Sequence, residues 1–230
     1  MKKHAYLIMA HNQPDLLRKL LLLLDDERND IYVHIDKKFQ AFNNEEFDDL
    51  MEKANIYWVK RIDVKWGGYS QIECELILLK EAIKKEHAYY HLLSGVDLPL
   101  KTQDQIHAFF DMHEGLEFVD EDQECIDTKV LDRIKYFHFL SNRNGKIAKK
   151  FKTFVLKLQK KLGINRIQKY DSVCFQKGRN WFSITHKLAT YVVEKEKWIH
   201  NMFSQSFCGD EVFLQTIARN SNFTDKICNP

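Results

Sequence analysis

Proline and glycine are scarce in this chain of 230 residues, three and eight respectively, and nowhere do they combine with serine into a linker. Nothing therefore divides the chain, and an apolar content of 44% is enough for one core, so residues 1–230 are expected to form a single domain. Long apolar runs are missing too: none approaches the ~20 residues that span a bilayer. The start, Lys2-Lys3 followed by an apolar stretch to Ala10, is too short for a signal-peptide core and runs into polar His11-Asn12-Gln13 without a cleavage-like site, so it reads as a first buried strand. An excess of one charge is absent, with 35 basic against 33 acidic residues, and the bulk composition gives no reason to expect nucleic acid as a partner. The five cysteines (Cys74, Cys125, Cys174, Cys208, Cys228) form neither close pairs nor metal-type spacings, and their odd count argues against a complete disulfide framework, so a reducing, cytoplasmic setting is expected.

What is present is an alternation of short apolar runs and helical patterns. Strands are expected at Ala5–Ala10, Ile31–Asp36, Ile56–Val59 and Tyr89–Gly95, with helices from Asp15 to Leu24, from Ser70 and from Thr102. Ser70 and Glu73 have the spacing of a capping box, and Thr102 is a plausible cap for its own helix. This order implies an α/β fold with a mostly parallel sheet flanked by helices, whose ligands gather beyond the C-terminal strand ends. Three polar segments fall there: His11-Asn12-Gln13, Asp36-Lys37-Lys38 and Gly95-Val96-Asp97.

Phosphate and metal motifs are lacking. No Gly-x-Gly-x-x-Gly or Gly-Lys-Ser/Thr follows a strand, and the ten histidines form no His-Glu-x-x-His pair. His34, between Val33 and Ile35, reads as a satisfied sheet position. Asp120-Glu121-Asp122 has the Asp-x-Asp form that holds a divalent ion against a diphosphate, but it lies in an acidic run where such a triplet arises easily. Near the C-terminus, Gly209-Asp210-Glu211 precedes an apolar set, Val212, Phe213, Leu214 and Ile217, at helical spacing. Both acids would fall in the first turn of a helix, where a capping pair and a catalytic carboxylate are the two readings.

Six blocks, in order, resemble the core-2/I-branching β-1,6-N-acetylglucosaminyltransferase family, which also includes protein xylosyltransferases. They are Ala5–His11, Val33–Asp36, Val64-Lys65-Trp66-Gly67-Gly68-Tyr69-Ser70, His91–Thr102 with its Ser94-Gly95-x-Asp97-x-Pro99-x-Lys101-Thr102 core, Gly178–Thr185 and Gly209–Phe213. The resemblance implies a GT-A-like (Rossmann-like) fold and an inverting, metal-independent transfer from a UDP-sugar, with N-acetylglucosamine the favoured sugar and a glycan the acceptor. It implies no cofactor. By position, Glu211 becomes the general base and Asp210 a cap or orienter. His11, Asp36, Lys37, Trp66 and Asp97 align with donor contacts, and Arg133 and Trp181 with the acceptor side. A non-catalytic glycan- or nucleotide-binding module of the same fold is the alternative, because the Arg and Lys that neutralise the diphosphate in the family lie beyond the carboxylate and have no counterpart before Pro230. Either the chain is a C-terminally truncated form, or other basic residues replace them.

The segment 143–169 holds ten basic residues and no acid. Within it Ile147, Phe151, Phe154, Val155, Leu158 and Leu162 recur at helical spacing, giving a basic amphipathic helix that ends near Gly163. Its stripe either packs on the domain or rests on anionic lipid, which would place the enzyme peripherally on the inner face of the membrane near a lipid-linked glycan acceptor; nucleic acid against the lysines is the least favoured reading.

Overall fold

Alternation along the first strand, β1 (His4–Ala10), builds two cores: Ala5 and Leu7 enter one, Tyr6 and Ile8 the other. The computed structural model describes residues 2–47, 49–122, 126–139 and 145–228. In it β1 is flanked in parallel by β2 (Asn29–Ile35) and β4 (Tyr89–Ser94), and β3 (Asn55–Trp58) pairs in parallel with β2. Beyond β4 come β6 (Phe182–Thr185), which alone runs antiparallel, then β5 (Glu117–Val119) and a short β7 (Ile227–Cys228), giving the order β3-β2-β1-β4-β6-β5-β7. Helix α1 (Pro14–Leu23) covers one face through Leu17, Leu20 and Leu21. The opposite face takes α2 (Ser70–Ala82), α6 (His186–Glu194), α7 (Glu196–Phe203) and α8 (Phe213–Arg219). This mostly parallel sheet flanked by helices is the GT-A-like arrangement expected from the sequence. No described helix is long and apolar enough to cross a membrane. Among the described residues, Cys74, Cys174, Cys208 and Cys228 are unpaired.

The expected strands form within two residues of their sequence bounds, and one of the two expected caps holds. Thr102 caps α3 (Gln103–Met112) in a reciprocal capping box with Gln105. The Ser70–Glu73 box does not form. Ser70 is already helical, and its Oγ instead accepts from the Lys65 N–H at 2.7 Å, closing the preceding loop on the helix start.

Histidines of the sheet are buried and held neutral. His91 Nε2 lies 3.0 Å from His4 Nδ1, and burial, reinforced by His107 and His87, pushes His4 down to about 3.

Candidate active site

The chain passes from β1 outward to β2 and β3, then returns to the other side of β1 as β4, so a crevice opens between the C-terminal ends of β1 and β4. Gly95 lets these ends approach: a Cβ there would meet the Ala10 Cβ at 2.6 Å. The resulting cleft of about 340 Å³ is lined by His11, His34, Asp36 and Ser94 from strand ends and by Trp66, Gln71, Asn180 and Trp181 from the loops and α2. That lies in the size range of small-molecule sites. A larger cavity of about 650 Å³, lined by Tyr170, Arg219 and Ile227, lies away from those strand ends; neither lining includes Asp210 or Glu211, but the smaller cleft includes Gln71, the partner of Asp210.

His34 Nε2 accepts from the Ile62 N–H at 3.0 Å, as its satisfied sheet position required, and burial pushes its pKa down to about 4, so a neutral ring faces the cleft. Asp36 is buried; one oxygen accepts from the Lys38 N–H at 2.8 Å and the other lies 3.3 Å from Lys38 Nζ. This turn brings Lys38 into the lining, whereas Lys37 is exposed outside it. Asp97 likewise stands outside the lining, where its carboxylate accepts from the Ser94 N–H at 2.7 Å and fixes the turn after β4. Trp66 is 76% exposed and Trp181 39%, so each offers a ring face to an incoming ligand.

The acidic doublet does not sit in the first turn of an α-helix. Cys208 adopts a left-handed conformation (φ 48°), Gly209–Glu211 form a single 3₁₀ turn, and Val212 (φ −132°) separates that turn from α8. Tertiary contacts dictate the break: the Cys208 N–H donates to the Gly67 carbonyl at 2.9 Å, and the Gly178 N–H to the Glu211 carbonyl at 3.0 Å. Asp210 is therefore no cap. Its Oδ2 accepts from Gln71 Nε2 at 2.9 Å, tying it to the cleft wall, and burial, with the charge of Glu211 adding, pushes it up to about 6. Beneath it lies Glu75 of α2, neither of whose carboxylate oxygens has a hydrogen-bond partner among the described residues; burial and then the Asp210 charge push its pKa well up.

Glu211 meets Arg133 of α4 (Thr128–Lys135), whose Nη1 donates to Oε2 at 2.8 Å. Among the described residues, Oε1 has no hydrogen-bond partner. The backbone N–H of Phe207 donates to the Arg133 carbonyl, and the Phe207 ring packs edge-on against Trp66 at 5.8 Å, so the pair, though not in the cleft lining, is linked to it through Phe207 and Trp66 and through Asp210 and Gln71. The aspartates of the Asp-x-Asp segment are engaged in ion pairs: Asp120 Oδ2 lies 3.3 Å from Arg179 Nε and also accepts from the Arg179 backbone N–H at 3.0 Å, and Asp122 lies 3.2 Å from Lys177 Nζ. Among the described residues no three His, Cys, Asp or Glu side chains cluster as metal ligands.

The basic amphipathic helix is α5 (Lys146–Lys161), followed by Gly163 at φ +65°. It is anchored by buried Gln159, whose amide exchanges two hydrogen bonds with the Phe137 backbone (2.8 and 2.9 Å). The stripe of Ile147, Phe151, Phe154, Leu158 and Leu162 is largely turned outward rather than packed on the domain, with side chains 43–86% exposed; Phe151 alone of these also lines a cavity against Phe137 and Phe207, and Val155 is half-buried. Arg143 lies outside the described residues.

Lys38, Gln71 and Glu75 were not singled out from the sequence. Lys38 follows Lys37 in the polar strand end, and Gln71 and Glu75 are one helical turn apart on the face of α2 that meets the doublet.

Residues 4–230 match the family model described as Branch: Core-2/I-Branching enzyme. Xylosyltransferase 2 of Rattus norvegicus is 22% identical over 94% of this chain and 24% of its own length, and that of Homo sapiens 20% identical over the same shares. The chain thus spans about a quarter of the curated relatives it matches. Among solved structures, S. aureus TarS 1–349 aligns over 98% of this chain and 57% of its own (TM-score 0.48, 14% identity). Mouse xyloside xylosyltransferase 1, apo form, aligns over 99% and 84% (TM-score 0.44, 8% identity).

Proposed function

The chain belongs to the core-2/I-branching enzyme family, and on that premise we propose that it is a glycosyltransferase moving a sugar from a UDP-sugar to a glycan hydroxyl. The observation that carries this reading is Glu211, oriented through one oxygen by Arg133 and adjacent in the chain to Asp210, which Gln71 of the cleft lining holds. Its other oxygen takes the proton of the acceptor hydroxyl as that oxygen attacks the anomeric carbon. The bond from that carbon to the diphosphate breaks on the opposite side, and UDP leaves with the bonding electrons, so the anomeric centre inverts. No second carboxylic acid is needed, because UDP departs without a proton. N-acetylglucosamine is the favoured sugar.

Trp66 and Trp181 offer flat faces to the base and the sugar, and Lys38 stands where a diphosphate charge would need offsetting. In this reading the transfer needs no metal, which the pairing of Asp120 with Arg179 and of Asp122 with Lys177 supports. UDP release measured across a panel of UDP-sugars with glycan acceptors, with and without EDTA, tests this. Consumption of one donor, insensitive to EDTA and giving an inverted product by NMR, is expected. UDP binding with no donor consumed would favour the non-catalytic module, and loss of activity in EDTA would restore the Asp-x-Asp segment.

The exposed stripe and the lysines of α5 support a position on the inner face of an anionic membrane, with a lipid-linked glycan as acceptor. Sedimentation with anionic vesicles at low salt tests it; protein left in the supernatant would remove the membrane.

A further inference from the structure

Beneath the exposed stripe of α5 the structure holds a second apolar feature. Residues 137–139, Phe207 and the helix itself line a cavity of about 240 Å³, its apolar wall made by Phe137, Phe139, Phe151, Val155, Leu156 and Phe207. Phe137 and Phe139 stack at 5.5 Å and 6° to form one wall. Phe151 belongs both to this cavity and to the outward stripe, so the groove opens onto the surface where the helix presents its apolar face. At the other end stands Phe207, whose ring touches Trp66 of the donor cleft and whose backbone is bonded to Arg133, the partner of Glu211. The groove thus leads from the exposed helix face to Phe207, one backbone hydrogen bond from the residue that holds the base.

Three occupants can be weighed. A second copy of this chain would bring one lysine-rich α5 against another, and like charges would oppose the contact. Nucleic acid would match the lysines but leave Ile147, Leu158 and Leu162 against polar groups. A lipid satisfies both parts, with hydrocarbon in the apolar groove and anionic headgroups beside the lysines.

We propose that this groove seats the hydrocarbon chain of a lipid-linked acceptor, entering from the membrane side of α5 and delivering the acceptor hydroxyl to Glu211. The proposal rests on the transferase reading above, and the experiment reads chain binding alone so that the two can fail separately. Radiolabelled dodecyl phosphate, kept below its micellar range, is dialysed to equilibrium against the full chain with no UDP-sugar present. Thr153 lies exposed on the groove wall, so Thr153→Trp fills it without disturbing a buried side chain.

Saturable binding of one chain per protein is expected for the wild type. Thr153→Trp should weaken it about tenfold, the loss of roughly two buried methylenes. Phe139→Ala, which removes half of the stacked wall at a 50% exposed position, should weaken it in the same direction. Phe154→Ser, on the outward stripe, should leave chain binding unchanged while lowering retention on anionic vesicles. Absence of saturable binding, or binding indifferent to both groove variants, overturns the proposal even if transfer is observed. A dimer that Thr153→Trp dissociates would assign the groove to a second copy, and displacement of the alkyl phosphate by single-stranded RNA would assign it to nucleic acid; either result overturns it.

Discussion

Arg133 and Glu211, 78 residues apart in sequence, are joined by a 2.8 Å hydrogen bond between groups that keep 30% and 38% of their side-chain exposure. An ion pair this open contributes at most about 1 kcal/mol to stability. Its consequence lies in geometry, because fixing Oε2 aims Oε1. Arg133→Ala should therefore lower kcat/KM by about 100-fold, in line with the cost of a misplaced catalytic group, while Tm hardly moves. Arg133→Lys should recover part of the rate. A large Tm loss with an unchanged rate in the folded fraction would make Arg133 structural.

Asp210 is expected to destabilise the fold at neutral pH. Its folded pKa, pushed up to about 6, exceeds the ordinary 3.8, so its favourable contribution is complete below about pH 3.8 and is lost as pH rises through 6. Asp210→Asn keeps an acceptor for Gln71 and removes the buried charge. Urea unfolding at pH 8 should show the variant more stable by on the order of 2 kcal/mol, with the gain vanishing toward pH 4.

His34 carries the opposite sign. Its folded pKa of about 4 lies below the ordinary 6.5, so its contribution is complete above 6.5 and is lost as pH falls toward 4. His34→Gln stays neutral throughout. Whatever the substitution costs at pH 7, the difference between wild type and variant should shift by about 2 kcal/mol in the variant's favour at pH 4.5. Denaturant midpoints at the two pH values check it.

Gly178 secures the Glu211 backbone, and a Cβ added there would stand 1.7 Å from the Asp120 carbonyl oxygen. Backbone cannot swing away as a side chain does. Gly178→Ala should cost about 3 kcal/mol or more and reduce transfer beyond the loss of folded protein. A wild-type Tm would show that the Gly178 and Asp120 segments separate freely.

Where local chemistry decided the structure, the sequence was readable. Thr102 and Gln105 cap α3 because both partners lie within one turn, and the β1–β4 strand ends mark the crevice because periodicity places them. The doublet was misjudged in shape because the left-handed Cys208 answers to Gly67, far away in sequence. Ser70 likewise spent its hydroxyl on Lys65 rather than on its helix. For α5, spacing showed that an apolar face exists but not which way it points; Gln159, a polar residue, turned out to be the side that anchors. The Arg133–Glu211 pair carries no local signal at all.

The central claim is that Glu211 removes the acceptor proton. Glu211→Gln preserves the shape of the side chain and its hydrogen bond from Arg133 but abolishes the base, so single-turnover sugar transfer should fall by at least about 100-fold while the dissociation constant for UDP stays within about twofold. Transfer at the wild-type rate by the folded variant would contradict the account.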